Sequence, residues 1–115
     1  MTITLYGIKS CDTCRKARRL LDAQGIDYRY HDLREDGLDR QRLEAFMARA
    51  DWQTLLNTRS TTWRQLDEAD KQSLDAMRAG ELMLAHPTLL KRPLLEQDDS
   101  LIVGLDKARY AALSA

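Results

Sequence analysis

Apolar positions fall into two regimes along the chain, strand-like near both ends and helix-like between them. Thr2 to Gly7 is nearly continuous in apolar character through Ile3, Leu5 and Tyr6, as in a strand covered on both faces. Ala17, Leu20 and Leu21 then recur at helical spacing and predict a helix from about Asp12 to Gln24. Gly25 suits the left-handed position past its end, and Ile26 suits the apolar contact that accompanies it. In Asp27 to Leu33, Tyr28 and Tyr30 alternate with Arg29 and His31, predicting a half-buried second strand joined to the first by a parallel crossover. From about Leu38 to His86 the period becomes helical. Leu43, Phe46, Met47 and Ala50 share one face of a helix over Asp39 to Ala50, and Trp52, Leu55 and Leu56 predict a short helical turn. Asn57 to Thr62 reads as a polar loop. A further helix is predicted from Asp67 or Glu68 to Ala79, with Leu74 and Met77 as apolar positions and its end at Gly80. A short turn over Glu81 to Ala85 follows, stopped by His86-Pro87. After Pro93, Leu94 to Glu96 and Leu101 to Val103 form a hairpin about Gln97 to Ser100. Asp106 is placed to cap a last helix, with Leu105 and Tyr110 as its hydrophobic staple.

The order β-α-β, helical segment, β-β-α predicts an α/β fold: a thioredoxin-like mixed sheet of two parallel strands plus an antiparallel hairpin, with a helical insertion. The 115 residues read as a single domain, with 1–33 and 87–115 as the thioredoxin-like core and 34–86 as the insertion.

Charge narrows the partners. With 18 basic and 18 acidic side chains the formal charge is zero, so no global field draws the chain to nucleic acid or an anionic membrane. No segment approaches the ~20 apolar residues of a membrane span, and no basic lead precedes an apolar run, so the expectation is a cytoplasmic protein. The chain has only 2 cysteines, Cys11 and Cys14, and in a reducing compartment such a pair is more often redox-active or metal-binding than a structural staple. A zinc site needs two more ligands, and His31 and His86 lack zinc-ligand spacing, so no metal is expected.

Cys11-Asp12-Thr13-Cys14 sits where the first strand gives way to the first helix. The unpaired N–H groups at a helix start carry the positive end of the helix dipole, so a sulfur at the cap position is favoured as thiolate. Cys11 fits the cap. Cys14 is then the third helical residue and returns to the same face, within reach of the first sulfur. Lys9, Arg15 and Lys16 supply nearby cations, and such surroundings lower a thiol pKa from ~8.5 to roughly 3.5–7.5. Cys11 is the candidate nucleophile. Cys14 could resolve a mixed disulfide, act as a regulatory lock, or simply pack.

Several segments together resemble the arsenate reductase/Spx family of thioredoxin-fold proteins, most closely its small YffB-type members. They are Leu5-Tyr6-Gly7-Ile8-Lys9-Ser10-Cys11-Asp12-Thr13 with Arg15-Lys16-Ala17, then Leu55 to Arg64 around Asn57-Thr58-Arg59-Ser60, then His86-Pro87-Thr88-Leu89-Leu90-Lys91-Arg92-Pro93-Leu94, and Val103-Gly104. The resemblance implies that Cys11 attacks the substrate, that Arg92, which matches a reductase arginine directly, binds the anion, and that Arg92-Pro93 is cis, with Pro93 opposite the active cysteine; Arg59 belongs to the Asn-x-Arg-Ser/Gly segment of the YffB and Spx branches, close to but not in register with a second reductase arginine. An Arg fork suits a carboxylate, phosphate or arsenate through two parallel hydrogen bonds. The pattern also departs from the family. No cation stands near Val103-Gly104, where the reductases carry a third arginine, and Gly7 replaces their histidine. Asp51 stands where the Spx regulators carry a glycine used at their RNA polymerase contact.

The function implied is a thiol-dependent reductase acting through Cys11 on an oxyanion or a disulfide. It would bind no cofactor and would use glutathione, or another small thiol, as co-substrate. Lys9, Arg15, Arg59, Arg92 and Pro93 are its candidate substrate-binding residues, and a glutaredoxin is a candidate partner. The alternative is a redox-switched regulator that binds RNA polymerase, with Cys11 and Cys14 as the sensor.

Overall fold

Ile3–Gly7 form strand β1, which has a hydrogen-bonded neighbour on each edge and side chains buried on both faces; this is why its sequence is almost uniformly apolar. The computed structural model describes residues 2–113. β2 (Arg29–Asp32) pairs parallel to β1, with Leu5 beside Tyr30 and Gly7 beside Asp32. On the other side β3 (Leu94–Gln97) runs antiparallel, with Leu5 beside Leu95, and β4 (Ser100–Val103) completes the sheet in the order β2-β1-β3-β4. The result is a thioredoxin-like mixed sheet. The hairpin turn is tighter than the predicted Gln97 to Ser100, because Gln97 and Ser100 pair with each other. Asp98 adopts φ 54° to reverse the chain between them.

Helix α1 (Asp12–Ala23) turns Ala17 and Leu21 onto the sheet, and both are fully buried. Its end follows from Gly25. At φ 69° that glycine turns the chain so that the Ile26 N–H reaches the Leu21 carbonyl at 3.0 Å, beside its own N–H on the Asp22 carbonyl at 3.1 Å, and Ile26 buries its side chain. The last helix, α7, is Lys107–Ala111, capped by the Asp106 carboxylate on the Arg109 N–H at 3.1 Å. Tyr110 and Leu105 join the core of Ile3, Leu5, Leu21, Leu95 and Ile102, as the staple requires.

Two compact units divide the chain. One comprises the residues up to Gly37 and from Arg92 onward; the other is Leu38–Lys91. The second unit is helical. α2 (Arg40–Arg49) is capped by the Asp39 side chain, with Leu43 and Phe46 buried, and α3 (Trp52–Leu55) is a single turn. The expected polar loop stops at Ser60, whose hydroxyl accepts the Trp63 N–H at 3.1 Å and starts α4 (Thr61–Gln65). The expected helix over 67–79 is two separate pieces, α5 (Glu68–Lys71) and α6 (Ala76–Ala85). Ser73 at φ 54° breaks the path, and the Asp75 carboxylate accepts the Arg78 N–H at 2.8 Å to start the second piece.

Gly80 therefore lies inside α6 rather than at a helix end. A Cβ there would stand 3.4 Å from the Met47 sulfur, an ordinary packing distance, so this face of α6 lies against α2. Met77, an apolar position of the expected helix, is 74% exposed; Ala79 and Met83 face the core instead. Within the described residues, no helix is long and apolar enough to cross a membrane.

Candidate active site

β1 ends at Gly7, and the chain makes one tight turn in which the Cys11 N–H donates to the Ile8 carbonyl at 3.0 Å. Cys11 is the N-cap of α1. Its extended backbone (φ −88°, ψ 119°) lets its carbonyl accept the Arg15 N–H at 3.1 Å, the first hydrogen bond of the helix. Its sulfur is half-buried and makes no cap hydrogen bond of normal geometry. Burial pushes the thiol pKa upward, but this is outweighed. The Cys14 N–H, the Cys14 thiol and the Arg92 guanidinium all favour the thiolate, and the net pKa lies below that of an ordinary thiol.

Cys14 has the opposite fate. As the third helical residue it points inward and is 1% exposed. Burial is the main cause that carries its pKa up to about 12; the Ile8 backbone N–H lowers it, and Cys11 raises it further. Deprotonation therefore falls first on Cys11, with Cys14 held as a thiol beside it. Gly7 makes this possible. A Cβ on residue 7 would lie 2.7 Å from the Cys14 sulfur, so the end of the strand has to be bare for the sulfur to sit there. That dependence links two residues of different elements.

Arg92 opens the second stretch of this unit, at a cis bond to Pro93. Pro93 is buried, and its carbonyl accepts the Gly104 N–H at 2.8 Å. Arg92 thus joins Cys11 and Cys14. Lys9 and Arg15 are exposed on the rim, and Arg15 pairs with Asp12 and donates to the Lys9 carbonyl at 3.3 Å. Arg59 belongs to the helical unit. It is exposed on the turn before α4, where its N–H donates to the Asn57 side chain at 3.0 Å and its carbonyl accepts from Arg64 at 3.3 Å.

Asp32 was not singled out by pattern, because an acid at the end of an alternating strand reads as surface. It is 3% exposed. Oδ2 accepts the Lys9 N–H at 2.9 Å, and Oδ1 accepts the Arg34 N–H at 2.8 Å and the Glu35 N–H at 2.9 Å. Burial alone would raise its pKa. The three amide donors and the Arg34 charge outweigh that and hold it below the usual carboxylate value. One carboxylate thereby ties the loop before Cys11 to the turn after β2. The available signal was Asp32 at a strand end followed by Arg34-Glu35-Asp36-Gly37, a setting in which Asp side chains bind the backbone two residues on.

Two tyrosines close the floor. Tyr30 lies under the Arg18 guanidinium, 4.2 Å from its ring centre. Its hydroxyl is 3.4 Å from where a Gly7 Cβ would stand, and burial first, then Asp32 and Cys14, raise its pKa to about 12. Tyr110 is fully buried, its pKa raised by burial and by Cys14.

The sheet, with a thiol of lowered pKa at the start of α1 and an arginine before a cis-proline, places the chain in the thioredoxin-like fold class. Residues 6–113 match the ArsC family model, and the chain belongs to that family. A YffB protein structure is similar to it, with TM-score 0.93 and 49% identity over 96% of this chain and 97% of that one. An arsenate reductase (ArsC) related protein from Brucella melitensis superposes with TM-score 0.79 and 48% identity, over 97% of this chain and 93% of that one. The global transcriptional regulator Spx of Listeria innocua is 31% identical over 107 residues, 91% of this chain and 81% of the regulator.

Proposed function

We propose that the protein is a thiol-dependent reductase, linked to glutathione, that acts through Cys11 on a disulfide or an arsenate-like oxyanion. The observation that carries this reading is the pairing of a Cys11 thiol of lowered pKa with the Arg92 guanidinium at the sulfur. The thiolate is the attacking species, and the arginine can hold the anionic group of the substrate during attack. With a disulfide, a Cys11–substrate bond forms as the substrate S–S bond breaks, and the leaving sulfur takes the electron pair. A glutathione thiolate then attacks the mixed disulfide and releases Cys11 as thiolate. Cys14, buried and with its pKa near 12, is poorly suited to that second attack and well suited to donate its S–H to the Cys11 sulfur.

Membership of the ArsC family supports the reductase reading. The test is glutathione-dependent reduction of a small disulfide and of arsenate by the wild type and by Cys11→Ser. Turnover that disappears with the serine variant is expected for at least one substrate. No turnover above the serine background with either would contradict the reading.

A second reading is favoured by the proximity of the two thiols and by the Spx relative: a redox-switched regulator that binds RNA polymerase, sensing oxidation through a Cys11–Cys14 disulfide. Co-purification of polymerase with one oxidation state and not the other would establish it. Absence from both would remove it.

A further inference from the structure

One buried polar atom of the sheet unit has no part in the chemistry above. Tyr110 is fully buried, in the core cluster that holds Leu5, Ala17 and Leu21. Among the described residues its hydroxyl has no hydrogen-bond partner. A buried hydroxyl left unpaired costs stability, and each such group calls for a reason.

Its position supplies one. Ala17 lies one turn after Cys14 on the buried stripe of α1, and Leu5 lies two residues before Gly7 on the same face of β1. Cys14 packs on Gly7, so Tyr110 fills the space next along both elements from the Cys14 sulfur. Burial raises the Tyr110 pKa first, and Cys14 is the charged group that raises it further. Tyr30 flanks the same sulfur from β2. The point where a Gly7 Cβ would stand is 2.7 Å from the sulfur and 3.4 Å from the Tyr30 hydroxyl. That hydroxyl also faces Asp32 and Cys11, and its ring carries Arg18, whereas the Tyr110 hydroxyl has Cys14 alone to answer.

Resting on the reading in which Cys11 and Cys14 close to a disulfide, we propose that the Tyr110 hydroxyl is a reserve donor that hydrogen-bonds the Cys14 sulfur as it leaves that disulfide during reduction. An external thiolate attacks the half-buried Cys11 sulfur, the Cys11–Cys14 bond breaks, and Cys14 takes the electron pair. The new charge appears in a site sealed from water, where an uncommitted hydroxyl meets it at no loss of another bond. Cys14 then takes up the proton that the attacking thiol gave to solvent. Opening and closing of the disulfide pass through the same charged sulfur, so the donor changes both rates and leaves the equilibrium alone.

The test is reduction of the diamide-oxidised protein by dithiothreitol at pH 7, followed by alkylation and mass spectrometry. One dithiothreitol thiolate opens the Cys11–Cys14 bond; the second displaces Cys11 as thiolate and closes the reagent's own ring disulfide. Tyr110→Phe should slow this about five- to tenfold, the effect of one hydrogen bond to a developing charge. Its equilibrium with dithiothreitol should move less than twofold, and the reduced variant should melt no lower than wild type, since the hydroxyl removed makes no bond there. Tyr28→Phe removes a hydroxyl that accepts from Arg18 Nε at 3.3 Å, and should change the rate less than twofold.

Reduction of Tyr110→Phe at the wild-type rate would overturn the assignment. So would an equal slowing in Tyr28→Phe, a loss confined to Tyr30→Phe, or a fall in the melting temperature of reduced Tyr110→Phe, which would show a hydroxyl already bonded for structure. A wild type in which diamide closes no Cys11–Cys14 disulfide would overturn the switch reading and the donor with it. A wild type that closes the disulfide and is unaltered by Tyr110→Phe would overturn only the donor.

Discussion

Cys11 and Cys14 stand in the same turn of one helix, yet their surroundings separate them. Cys11 occupies the cap, half in solvent, with a backbone N–H, a thiol and a guanidinium directed at it. Cys14, three residues on, lies against the bare end of β1 at Gly7 and is sealed from water. The spacing that brings the two sulfurs together is therefore not what sets their reactivity. Burial of one and solvation of the other divide the work, and the buried thiol tunes the exposed one.

Removing the exposed sulfur should have the largest effect. Cys11→Ser should abolish mixed-disulfide formation with oxidised glutathione, at least a thousandfold by mass spectrometry, although Cys14 is still present. Labelling at Cys14 in that variant, at a rate near that of native Cys11, would show that the two are interchangeable. Next in size, Arg92→Ala should raise the Cys11 pKa, seen as an iodoacetamide rate at pH 6 several-fold below wild type.

Two stability measurements sharpen the buried side. Asp32→Ala orphans three backbone N–H groups and should cost on the order of 2–4 kcal/mol in denaturant unfolding. Asp32 has a folded pKa below its unfolded value of about 3.9, so its contribution is present above that pH and is lost as pH falls through the folded value. The difference between wild type and variant should shrink below about pH 4, and a difference that grows on acidification would contradict the assignment. Gly7→Ala should cost about 1–3 kcal/mol through crowding against the Cys14 sulfur, and Cys14→Ala should relieve most of that loss. Strict additivity of the two substitutions would deny the contact.

Much of the sheet unit was legible in the chain because its signals are local. The apolar run of β1, the Gly25 stop after α1 and the Asp106 cap each depend on neighbours a few residues away, and so does the placing of Cys11 at a helix start. The helical unit was legible only in part. Periodicity marked Leu43 and Phe46, but where α6 begins is decided by a side chain, Asp75, closing on its own backbone, and Met77, an apolar position of the expected helix, is exposed. What lies deepest in the site was not legible at all. Gly7 is required by Cys14 across two elements, and Asp32 is buried because three amides from two separate segments converge on it. Neither dependence leaves a local pattern.

The inequality of the two thiols is measured most directly as the alkylation rate of each cysteine against pH, resolved by peptide mass spectrometry in the native protein. Cys11 should react with a single midpoint below the ordinary thiol value of about 8.5, while Cys14 stays unmodified up to pH 9. A Cys11 midpoint at or above 8.5, or parallel profiles for the two cysteines, would contradict it.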